Sequence, residues 1–72
     1  MSHHMHIYCA SGDRHALVRA AARDWLRVNG IPALRSNTHR GYHVRAERLG
    51  DLVARAELDG WHVRVHDSRP RS

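Results

Sequence analysis

The chain contains no lysine and no phenylalanine, and its single thiol is Cys9. One cysteine excludes an internal disulfide, and the four Cys/His ligands that a zinc finger spaces along its chain are missing. Cys9 itself, between Tyr8 and Ala10 in an apolar run, reads as a small buried hydrophobe, because nothing beside it in sequence would activate a thiolate. No stretch approaches the ~20 apolar residues that a bilayer-spanning helix needs. A positive n-region followed by an apolar stretch is not found either. The expectation is a cytoplasmic protein with no membrane partner. A Gly-rich phosphate loop, a nucleophile elbow and a pair of carboxylates at catalytic spacing are also wanting, so no cofactor is expected.

What the chain does have is positive charge. Twelve basic residues, all arginine, face seven acidic ones, for a net charge of +5 with the eight histidines neutral. That excess favours acidic partners such as nucleic acid. At 72 residues the chain makes one small domain, near the lower size at which a core folds unaided. "MSHHMH" is the composition shared by a metal-affinity tag remnant and a natural metal-binding tract, and residues 1–5 are set aside as a disordered N-terminal segment. Residues 6–67 form the expected single domain, and "SRPRS", residues 68–72, a frayed tail.

Within that domain "HIYCA" is a strand candidate, and "SGD" supplies a turn and a helix cap. "DRHALVRAAARDWLRVNG" carries Val18, Ala21, Ala22, Trp25 and Val28 at helical spacing, widened by Leu17 and Leu26, and Asn29-Gly30 ends it. "IPALRS" and "YHVRAE" flank the turn-forming "NTHRG" and read as a hairpin. "RLGDLVARAELDG" is a second amphipathic helix, with Leu49, Leu52, Val53 and Ala56 on one side. "WHVRVHD" is a last alternating strand. The order β-α-β-β-α-β predicts an α+β fold of the split-βαβ, ferredoxin-like type. In it a four-stranded antiparallel sheet, in order 4-1-3-2 or 4-1-2-3, carries both helices on one face.

In such a sheet Ile7, Cys9, Leu34, Tyr42, Val44, Ala46, Trp61, Val63 and Val65 would meet the helices. Trp25 and Trp61 are assigned to the core. The opposite side would collect His6, Tyr8 and Ala10, then Arg35, then His43, Arg45 and Glu47, then His62, Arg64 and His66. Tyr8 would stand mid-sheet as an aromatic platform in a field of cations. Guanidinium groups pair with phosphate, and tyrosine offers a ring face to a base. The predicted nucleic-acid contacts are therefore Tyr8, Arg35, His39, Arg40, His43, Arg45, His62 and Arg64. The RNA recognition motif has the same βαββαβ layout, with an exposed sheet. "RGYHVRAER" resembles the opening of its third-strand motif in Arg40-Gly41-Tyr42, while His43 and Arg45 stand where that motif has stacking rings.

Other readings of the same residues compete. A solvated face in a lysine-free chain carries Arg and His by default. A protein-interaction or self-association module would use the same face or the edge carrying "PALRS"; "GYHVRAERLGDLVARAELDGWHVRV" is similar in strand-helix-strand cadence to peptidoglycan-binding SPOR repeats. A small metal-independent RNase would pair His43 with Arg45, or His62 with Arg64, as proton carrier and phosphate clamp. No metal site is expected, since His62 and His66 stand ~13 Å apart along one strand.

Overall fold

The computed structural model describes residues 3–38 and 40–69. Their elements are β1 (His3–Tyr8), β2 (His15–Arg19), α1 (Arg23–Val28), β3 (Leu34–Ser36) and β4 (Gly41–Arg45). A one-turn 3-10 helix (Ala46–Arg48) then leads into α2 (Leu49–Leu58), and β5 (Trp61–His66) closes the order. The α+β class holds. The four-stranded antiparallel sheet does not: five strands form one mixed sheet in the order β3-β4-β2-β1-β5, with β1 and β5 parallel and the other pairs antiparallel. The four strands expected from the sequence keep the spatial order 4-1-3-2, and β2 is inserted between the first and the third.

That inserted strand is where the expected first helix should have begun. Ala16, Leu17 and Val18 are all buried, so the middle of "HALVR" is covered on both sides while His15 at its end stays exposed. β1 and β4 supply hydrogen-bond partners on either side, and this pairing overrides the helix preference of Ala, Leu and Arg. "SGD" accordingly turns the chain instead of capping a helix. The Asp13 amide donates to the Ala10 carbonyl at 3.0 Å, and Gly12 sits at φ 86° in the third turn position, which a side chain would resist. Only six residues of the long helical pattern remain as α1.

The core lies between the sheet and the two helices. Met5 and Ile7 of β1, Ala16 and Val18 of β2 and Val44 of β4 meet Ala22 and Leu26 from the α1 side and Leu52 and Ala56 of α2. Met5 is fully buried and β1 starts at His3, so the boundary drawn at residue 6 falls inside a strand. Trp25 and Trp61 pack edge to face at 6.0 Å against this core, both half-buried. Of the strand residues expected inside, Leu34 is 75% exposed and Val65 53%, and Val28 of the expected helical stripe is 82% exposed. Val65 lies on the helix side of an outermost strand, where the covering layer runs out, whereas Leu34 pairs with His43 and so faces away from the helices. Of the expected tail, Arg69 pairs with Asp13 at 3.2 Å, and residues 70–72 lie outside the described part.

Candidate nucleic-acid interface

The strand register assembles the open face row by row. Leu34, His43, Leu17, Tyr8 and His66 form one row across all five strands. Arg19, His6 and Arg64 make the next, and His4 and His62 the one beyond. At the other end of β2 and β4, His15 stands opposite Arg45. Leu17 is 2% exposed although it points away from the helices. Gly41 makes room for it, since a Cβ there would lie 3.1 Å from a Leu17 methyl and 2.6 Å from the Val18 carbonyl oxygen.

The rings on β1 and β5 are already stacked on one another. Tyr8 and His66 lie parallel within 9°, with centroids 4.5 Å apart, and His4 and His62 stack at 5.3 Å. His6 and His66 meet at 5.4 Å, and His6 Nδ1 and His66 Nε2 are 3.1 Å apart, so one ring donates an N–H to the lone pair of the other. From the β2 side the Arg19 guanidinium stands 5.4 Å from the Tyr8 centroid, in cation–π range. Tyr8 is thus approached from both neighbouring strands and is half-buried. It braces the sheet face, and it does not present the free ring surface that a stacking platform needs.

Five of the eight residues predicted from sequence share this face: Tyr8, His43, Arg45, His62 and Arg64. Arg35 does not. It stands opposite Tyr42, so it belongs to the helix side, while Leu34 takes the phase beside His43. The strand reading had one residue of β3 in the wrong phase, and a one-residue slip exchanges the two faces. Arg40 sits in the hairpin turn at φ 51° and lines a hollow with Arg35, Ser36 and Tyr42, off the open face. His39 lies outside the described residues. Glu47, expected on the third strand, has left it for the 3-10 helix, where it pairs loosely with Arg45 at 3.5 Å.

Arg19 and His15 were missed because "HALVR" was assigned to a helix; its run of three apolar residues was the available signal. His6 and His66 had the right phase, but their direct contact depends on the parallel β1–β5 register. Among the described residues no group of three His, Cys, Asp or Glu side chains converges as a metal ligand set, and no helix is long and apolar enough to cross a membrane. Compared with protein-family models, with curated proteins and with solved structures, the chain matches none.

Proposed function

We propose that this domain binds nucleic acid, or a polyanion of similar charge density, through the open face of its sheet and without catalysis. One observation carries the reading: none of the five strands contains an Asp or Glu. All seven carboxylates fall in turns, helices or the segment after β5. The open face therefore gathers Arg19, Arg45 and Arg64 with six imidazoles, those of His4, His6, His15, His43, His62 and His66, and no strand residue offsets them. A solvated face of this chain carries Arg and His by default, so it is the absence of any strand carboxylate beside them that favours a polyanion. The outer surface of α2, by contrast, mixes both signs with Asp51, Arg55 and Glu57.

Because Tyr8 and four of the histidines, His4, His6, His62 and His66, are stacked within the chain, the contacts expected are to phosphate. Phosphate contacts hold a duplex or strand in place but carry little sequence information. The test is anisotropy titration of labelled single-stranded RNA, single-stranded DNA and duplex DNA between ~50 and ~200 mM salt. Three neutralised phosphates predict a slope of about −2.7 in log affinity against log salt on duplex DNA, from roughly −0.9 each. An Arg19→Ala/Arg45→Ala/Arg64→Ala variant should lose that slope. Absence of binding at the lowest salt, or a slope the variant leaves intact, would refute the reading.

A further inference from the structure

The helix side of the sheet holds a second basic surface. Between α1 and the β3–β4 hairpin lies a groove of about 460 Å³, lined by Arg23, Leu26, Arg27, Ile31, Ala33, Arg35 and Tyr42. Its floor is aliphatic with one tyrosine ring, and its rim is three guanidinium groups. No carboxylate lines it, and among the described residues none of these three guanidinium groups has an ion pair or hydrogen bond. Three arginines elsewhere are paired, Arg45 with Glu47, Arg55 with Asp59 and Arg69 with Asp13. An apolar floor ringed by unpaired cations fits an acidic segment that carries an aliphatic anchor.

This chain owns such a segment. Three of its seven acidic residues, Asp51, Glu57 and Asp59, fall between positions 51 and 59, which hold a single arginine, Arg55. In their midst Leu58 is 81% exposed at the end of α2. Asp51 and Ala54, seven and four residues before Leu58, share its side of the helix. Leu58 does not line the groove of its own copy. Asp59 accepts a hydrogen bond from Trp25 Nε1 at 2.8 Å, which holds the end of α2 to the Trp25 side of α1. Arg23 and Arg27 are about 200° around that helix from Trp25.

We infer that two copies associate head to tail: Leu58 of one enters the groove over Leu26, Ile31 and Tyr42 of the next, and Glu57 and Asp51 meet Arg23, Arg27 and Arg35. Knob and groove are different patches, so the contact is heterologous and repeats from copy to copy. It leaves the open face free. The patch is small, so association is expected to be weak and dependent on concentration and salt.

Sedimentation velocity on nuclease-treated protein, from ~10 μM to ~1 mM at low salt, reads the proposal directly, since a patch below standard interface size associates in that range. The expected result is a mass that rises above 8.3 kDa with concentration and falls back on adding salt. Glu57→Arg and Arg27→Glu/Arg35→Glu should each abolish the rise. Their equimolar mixture should restore it, because each then offers the other a complementary knob and groove. All substituted side chains are exposed, and circular dichroism checks that the variants remain folded. A monomer at every concentration would overturn the inference. So would association that Leu58→Ser and the charge reversals leave unchanged, or a mixture that stays monomeric.

Discussion

Gly41 shows how much of the open face hangs on one residue. Its missing Cβ lets β4 approach β2 at the Val18 carbonyl and lets Leu17 lie down beneath Tyr8 and His43. Gly41→Ala forces a shift of backbone or of a buried leucine and should cost ~1–3 kcal/mol, the usual range for overpacking. Gly50→Ala is the control, with open space around its Cβ inside α2, and should stabilise by roughly 0.5–1 kcal/mol. Urea denaturation of the two variants checks both signs. Met5→Ala, by the same measurement, should cost ~2–5 kcal/mol if residues 3–5 belong to the fold as the buried thioether indicates. Tyr8→Leu distinguishes bracing from base stacking. Nucleic-acid affinity should stay within about threefold, whereas loss of a stacked base would remove ~1–3 kcal/mol.

Among the elements, β2 decides the architecture. A helix over "DRHALVRAAARDWLRVNG" and a strand over "HALVR" are both consistent with the local pattern, and the difference is which partners the backbone finds. Hydrogen exchange separates them. The amides of Leu17 and Val18 are expected among the slowest in the chain, since β1 and β4 enclose their strand, while those of the three-residue edge strand β3 should exchange early. The second helix, the β3–β4 hairpin and β5 were legible within a few residues, because each is bounded by turn residues and shows one period throughout. β3 was the weak point. With only Leu34, Arg35 and Ser36 in the strand, alternation has too few steps to fix the phase, and the predicted site gained Arg35 where the face holds Leu34.

For the whole molecule, charge is segregated by element. Arg19, Arg45 and Arg64 stand with six histidines on the open face, and Asp13 and Glu47 at its margin pair with Arg69 and Arg45. The molecule measures 28 Å along its longest axis, so it should cover no more than about eight base pairs at 3.4 Å each. Competition with duplexes of graded length measures that footprint.

The sequence by itself determined the α+β class, the second helix and the phase of β1, β4 and β5, because strict alternation and helical spacing are local properties of the chain. From these alone follow a basic face with Tyr8, His43, Arg45, His62 and Arg64 on one side, and a core with Ile7, Val44 and Trp61 on the other. Only the tertiary structure decided that residues 15–19 are a strand, that β5 runs parallel to β1, and that Arg19 joins the face while Arg35 leaves it. Those outcomes depend on which backbones pair across the sheet, and pairing energy between residues distant in sequence leaves no periodic mark on either segment. The contact between His6 and His66, sixty residues apart, exists only because that pairing brings their strands together.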